Sequence, residues 1–153
     1  MTRIAGITRW TEILMREESI WGLTHAFIIL TCIIFSDQFL PPFQEYNLIS
    51  SIVFVAGILI FSVGWKDLGE LRFVIEPGQL KTSGIYAINR HPIYLGLKLM
   101  FFGIALLSRS IIGLILISLI LIPLHVVRTR KEEAALIRKY GDQYREYRER
   151  TIF

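Results

Sequence analysis

The sequence predicts an all-α, polytopic integral membrane protein: about four transmembrane helices in two antiparallel hairpins, with an amphipathic C-terminal helix on the cytoplasmic side. Three observations carry this. Of 153 residues 53% are hydrophobic, and the mean hydropathy is +0.50, well away from the soluble average. The apolar residues fall in four blocks, 19–36, 46–65, 92–108 and 110–127, each close to the length that spans a hydrocarbon core of about 30 Å at 1.5 Å per residue. Lys and Arg concentrate at alternate ends of the blocks, the short link at Ser108 to Ser110 holding only Arg109. A soluble bundle of this length buries only about two thirds of its surface and would leave four such helices poorly shielded. The whole chain, 1–153, is read as one domain.

Before the first block, Arg3, Arg9 and Arg16 place the N-terminus on the cytoplasmic side, and Ile4, Ile7, Trp10 and Leu14 recur at near-helical spacing suited to the headgroup plane. Mixed charges precede the apolar run and no small-residue cleavage site follows it, so no cleavable leader is expected. The first block holds Cys32, the one cysteine of the chain, which excludes a disulfide or thiolate metal site within the chain. His25 in the same block has no second ligand at metal spacing and is expected to pack rather than coordinate; no metal is expected. The connection around Pro41-Pro42 carries no Lys or Arg from Asp37 to Glu45. After the second block, the loop 66–91 carries Lys66, Arg72, Lys81 and Arg90 and the turn signals Gly69, Pro77-Gly78 and Ser83-Gly84. Gly78 to Gly84 lacks the order of a phosphate loop, and no G-x-G-x-x-G occurs, which excludes the usual dinucleotide fold.

The third block starts at Pro92, a residue suited to the first helical position. Ser108-Arg109-Ser110 turns so tightly that the third and fourth blocks must be antiparallel neighbours. The tail, 128–153, is basic, and Ile137, Tyr140, Tyr144 and Tyr147 form a stripe beside Arg138, Lys139, Arg145 and Arg148, the pattern of a helix on the membrane surface interrupted at Gly141-Asp142. Both termini and the long loop are therefore cytoplasmic. The net charge of +4 and pI near 9.4 reflect cations beside spans, which fits anionic lipid headgroups and not nucleic acid. Nothing in the pattern addresses oligomeric state.

Two polar clusters converge on the cytoplasmic face. Arg90-His91-Pro92-Ile93-Tyr94-Leu95-Gly96 sits where the loop enters the third block, and His91, Tyr94 and Lys98 stand at i, i+3 and i+7. Such a stripe is costly in lipid unless it faces protein, water or ligand; an interfacial anchor with Lys98 snorkelling is the alternative. Gly96 and Gly103 permit close helix contact, and Gly96 would also let a ligand approach the backbone. His125, Arg128, Glu132 and Leu136 line one face of the emerging fourth helix, beside Glu133; an ordinary Arg128–Glu132 surface pair is the alternative.

The run Leu80-x-Thr82-x-Gly84-x-Tyr86-x-x-x-Arg90-His91-Pro92-x-Tyr94-x-Gly96, then Glu132-Glu133-x-x-Leu136 and Tyr140-Gly141-x-x-Tyr144-x-x-Tyr147, resembles the isoprenylcysteine carboxyl methyltransferase family and its relatives among membrane phospholipid methyltransferases, over roughly the C-terminal half. The resemblance implies S-adenosylmethionine bound at the cytoplasmic face and a lipidic or prenylated acceptor arriving from the bilayer. It implies a cofactor cradle of Tyr86, Arg90, His91, Tyr94 and Gly96, with Glu132 and Glu133 accepting hydrogen bonds from ribose hydroxyls or the ammonium group. A carboxylate acceptor would need no base and would be held by Arg128 or Lys98; an amine acceptor would need one, His91 or a glutamate. The chain departs from the family in Ile85, where Pro often follows the loop glycine, and in Asn89 before the Arg-His-Pro run. It ends at Phe153, so a longer C-terminal substrate clamp is not expected. Other readings are a phospholipid N-methyltransferase, an NADPH enzyme akin to the sterol reductases, against which Ile93 speaks, and a non-catalytic membrane scaffold.

Overall fold

The computed structural model describes residues 19–36, 44–69 and 80–152. The expectations for Ile4 to Leu14, for the Pro41-Pro42 turn and for Pro77-Gly78 lie outside these residues. Among the described residues the chain is helical, without a β-strand; one isolated parallel bridge joins Asn89 and Ile152. The helices are α1 (Ser19–Ile34), α2 (Gln44–Leu68), α3 (Pro92–Leu107), α4 (Ile111–Tyr140) and α5 (Asp142–Glu149), with a 3-10 turn at Gly84–Ala87.

Local chemistry sets these boundaries. Pro92 opens α3, and the Asn89 side chain accepts the His91 N–H at 2.7 Å, turning the chain out of the loop. Ser110 caps α4 by accepting the Gly113 N–H at 3.1 Å. The turn between them places Arg109 at φ 49°, an uncommon conformation that lets α4 return directly along α3. Within α4 the segment Ile117–Leu121 widens into a π-helical turn just before Pro123. A proline inside a helix has no N–H to give and crowds the carbonyl four residues back, and a wider turn relieves both. Gly141, at φ 54°, separates α4 from α5, at the interruption expected from the sequence.

Small residues bring α2 and α3 into backbone contact. A Cβ on Gly57 would come within 2.6 Å of the Met100 nitrogen, one on Gly96 within 2.6 Å of the Phe61 nitrogen, and one on Gly103 within 2.6 Å of the Phe54 Cβ. This is the packing of membrane helices, where close approach replaces the hydrophobic effect as the driving force. The opposite face of α3 supplies Phe101 and Ala105 to a core completed by Ile28 and Cys32 of α1 and Ile117 and Leu121 of α4. Trp21 of α1 lies near Tyr94 at the start of α3, and Cys32 lies against Gly113 near the start of α4. The α1 and α3 helices therefore run one way and α4 the other.

The outside of the bundle is apolar. Leu23 is 69% exposed, Ile52 59% and Leu119 71%. The α2 and α4 helices are long and apolar enough to cross a membrane, and only 17% and 22% of their most apolar stretches are buried inside the molecule. A core helix of a soluble protein would be mostly buried; these surfaces suit hydrocarbon. The α1 and α3 helices are shorter but also apolar. At 1.5 Å per residue α4 is about 45 Å long, so it projects beyond a hydrocarbon core and carries Glu132 and Glu133 past the start of α3.

Candidate functional site

Six charged or polar groups meet where α3 begins and α4 projects past it. The Arg90 Nε–H donates to Glu133 Oε1 at 3.0 Å. His91 Nε2 lies 3.3 Å from the same oxygen, and its Nδ1 lies 3.8 Å from Glu132 Oε2. One turn on, the Tyr94 hydroxyl donates to Glu132 Oε1 and accepts from Arg128 Nε at 2.9 Å; Arg128 Nε is also 3.5 Å from Glu132 Oε1. These are the residues that the sequence pattern had set apart in two pieces. Helical spacing explains the meeting: Tyr94 follows His91 by one turn on α3, and Arg128 precedes Glu132 by one turn on α4. The two glutamates therefore address different rungs of the facing helix.

Electrostatics distinguishes the two carboxylates. Burial alone would raise the Glu133 carboxyl, but hydrogen bonds from Arg90 and His91 outweigh it and hold it below the ordinary carboxylate value. His91 is pushed the other way: burial lowers its ring below the ordinary 6.5 despite the pull of Glu132 and Glu133, so it is neutral at pH 7. Glu133 is thus an anion held through Oε1 by two donors. Glu132 is 41% exposed, and its Oε2 has only His91 at 3.8 Å, leaving acceptor capacity turned outward.

Arg90 serves a further purpose. Its Nη1 donates to the Arg148 carbonyl at 2.9 Å, to the Thr151 carbonyl at 2.9 Å and to Thr151 Oγ1 at 3.0 Å. The Ile152 N–H donates to the Ile88 carbonyl at 2.9 Å, and the Tyr147 hydroxyl to the Tyr86 carbonyl at 2.6 Å. The tail after α4 is thereby latched across the loop that delivers Arg90 and His91. Tyr86, expected in the cofactor cradle, is placed elsewhere: it is 8% exposed and its hydroxyl donates to the Gly64 carbonyl at 3.4 Å. Burial pushes its phenol up, as it does those of Tyr144 and Tyr147. The loop is also held from below, where the Ile85 N–H donates to Asp67 Oδ2 at 2.8 Å. Gly84 at φ 65° permits that approach, since a Cβ there would lie 1.9 Å from the same oxygen.

Gly96, the other expected cradle residue away from the cluster, lies buried against Phe61 of α2, on the face of α3 opposite Tyr94. Helix packing accounts for it. Lys98 lies one turn below Tyr94 on the same face, part-buried. A cleft of about 350 Å³, lined by Thr82, Ala87, Glu146, Tyr147 and neighbours, contains none of the six groups.

Sequence reasoning singled out Tyr147 and His25 without their partners and passed over Thr151 and Trp21. Thr151 and Tyr147 anchor the tail from positions 61 residues away from their partners, a distance at which no spacing signal exists. Trp21 and His25 of α1 reach the cluster from below: the Arg128 guanidinium lies 4.5 Å from the centroid of the Trp21 ring, and His25 Nε2 lies 3.2 Å from His125 Nε2. The second histidine that His25 lacked at local spacing comes from α4. The i, i+4 pair Trp21 and His25 was a readable polar edge on an apolar helix; its partner was not.

A family model described as phospholipid methyltransferase matches residues 47–143. The protein-S-isoprenylcysteine O-methyltransferase of Schizosaccharomyces pombe is 38% identical over 72 residues, covering 47% of this chain and 30% of that protein. The chain thus spans about a third of the length of the curated relative it matches. No solved structure matches. The family match takes in α3, α4 and the six rim residues, while α1 lies outside it.

Proposed function

This chain belongs to the phospholipid methyltransferase family, and from that premise we propose that it is an S-adenosylmethionine-dependent methyltransferase of the membrane, acting on a lipidic acceptor and resembling the isoprenylcysteine carboxyl methyltransferases. The observation that carries the reading is the rim of Arg90, His91, Tyr94, Arg128, Glu132 and Glu133 at one end of an apolar bundle. In this reading α1 and α3 span the bilayer together with α2 and α4, and both termini and the rim face the cytoplasm, as the Lys and Arg distribution requires. The rim then lies where a water-soluble donor and a lipid meet.

When bound, the donor supplies a methyl group already activated by the sulfonium charge, so the protein's part is to orient the reactants and exclude water. Glu132, with acceptor capacity turned outward, receives the ammonium group or the ribose hydroxyls. Tyr94 fixes the rotamer of Glu132 and couples it to Arg128. Glu133 and Arg90 hold the tail and His91 in position rather than facing the donor. Arg128 or Lys98 holds the polar head of the acceptor.

Calorimetric titration of S-adenosylhomocysteine into the detergent-solubilised protein tests this reading. Saturable binding is expected, weakened at least tenfold in Glu132→Ala and His91→Ala. Unchanged affinity in both variants would remove Glu132 and His91 from the donor site; no binding by the folded protein would return the chain to the reductase or scaffold readings, the former marked by binding of NADPH.

A further inference from the structure

Below the rim the bundle carries polar groups that the rim does not use. His25 Nδ1 lies 2.6 Å from the Trp21 carbonyl; a carbonyl only accepts, so this nitrogen carries the ring proton and Nε2 holds the lone pair. His25 Nε2 faces His125 Nε2 at 3.2 Å, so His125 donates from Nε2 and its Nδ1 is left with a lone pair. That nitrogen has no hydrogen-bond partner, and His125 is 0% exposed. The Trp21 Nε1–H is also buried without an acceptor, on a ring stacked 5.0 Å from that of His125.

Lys98 stands on the same face of α3, between Tyr94, whose ring is 5.4 Å from that of His125, and Phe101, whose ring is 5.0 Å from that of His25. It makes no hydrogen bond or ion pair among the described residues. The two acids of the cluster are held at the rim by Arg90, His91, Tyr94 and Arg128. Buried polar groups ordinarily find partners, and an ammonium at membrane depth needs a counter-charge. Two uncommitted N–H donors, the Trp21 indole on α1 and the Lys98 ammonium on α3, fit one missing acceptor.

We propose that Trp21, Lys98 and the His25–His125 pair form an anion subsite that takes the carboxylate or phosphate head of the lipidic acceptor. Its identity as the acceptor's subsite rests on the methyltransferase reading above. Lys98 and the Trp21 Nε1–H donate directly. The His25–His125 pair forms the wall of the subsite: it is held by the Trp21 carbonyl at His25 Nδ1 and stacks on the Trp21 ring, which fixes where the indole N–H points.

The test is calorimetric titration of the full chain in uncharged detergent at pH 7 with dodecyl phosphate and, separately, dodecanoate. Saturable binding of at least one probe is expected. Lys98→Met is expected to weaken it at least tenfold and Trp21→Phe, which keeps the ring, about threefold to tenfold. S-adenosylhomocysteine affinity should stay within twofold in Lys98→Met and Trp21→Phe, which also reports that both variants fold. The preferred probe identifies the head: dodecyl phosphate points to a phospholipid, dodecanoate to a carboxylate. Binding of neither probe, or Lys98→Met binding as tightly as the parent, overturns the subsite. Lysine-dependent anion binding without any S-adenosylhomocysteine binding would instead sink the methyltransferase reading and leave the subsite standing.

Discussion

Tyr94 carries more of the rim than its single hydroxyl suggests, because that oxygen donates to Glu132 and accepts from Arg128. Hydrogen bonds to charged groups contribute about 1.5–3 kcal/mol each. Tyr94→Phe keeps the ring against Trp21 and His125 and removes only this link, so S-adenosylhomocysteine affinity should fall roughly tenfold or more by calorimetry; a change below twofold would remove Tyr94 from the site. The rim also fixes how stability follows pH. The folded value of His91 lies below its ordinary 6.5 and that of Glu133 below 4.5. In both cases the unfolded chain takes up protons first as pH falls, so stability is lost progressively below pH 6.5. The buried phenols of Tyr86, Tyr144 and Tyr147 are raised above 10.0; the unfolded chain ionises first, and stability falls again above that pH. A thermal-midpoint profile in detergent that stayed flat from pH 7 to pH 5 would contradict the buried, neutral state of His91.

Among the elements, the α2–α3 contact is the least tolerant of added volume, since a Cβ at Gly57, Gly96 or Gly103 meets the facing helix within 2.6 Å. Gly96→Ala should destabilise by about 1–3 kcal/mol through overpacking, measured as a lower thermal midpoint, while S-adenosylhomocysteine affinity in the folded fraction changes little. A selective loss of affinity without loss of stability would restore Gly96 to the cradle. The same helices show what the sequence could reveal. The helical blocks, the hairpin at Ser108–Ser110 and the break at Gly141 were legible because each depends on local rules: apolar run length, cap chemistry, a glycine at positive φ. The meeting of Tyr94 with Glu132 was legible because both sit at helical spacing beside a distinctive motif. The placements of Tyr86 and Gly96 were not, because periodicity assigns a residue to a face without saying which neighbour that face meets. His25 and His125, 100 residues apart, share no local pattern at all.

For the whole molecule, the exposed apolar belt formed by residues such as Leu23, Ile52 and Leu119 requires a hydrocarbon surrounding, and the proposed orientation puts the Ser108–Ser110 turn on the side opposite the rim. In a Cys32→Ala background, Ser108→Cys and Gln143→Cys should react with an impermeant maleimide from opposite faces of a sealed vesicle; labelling from the same face would contradict a four-span arrangement. The latch of Arg90 onto Arg148 and Thr151 bears on the order in which the protein becomes competent. A chain is made from its N-terminus, so α3 and α4 leave the ribosome before Thr151 and Ile152 do. The guanidinium that steadies His91 acquires its last partners only when translation has passed residue 152. A half-made chain in the membrane would hold every rim side chain up to Glu133 while Arg90 still lacked the Arg148 and Thr151 partners that fix it.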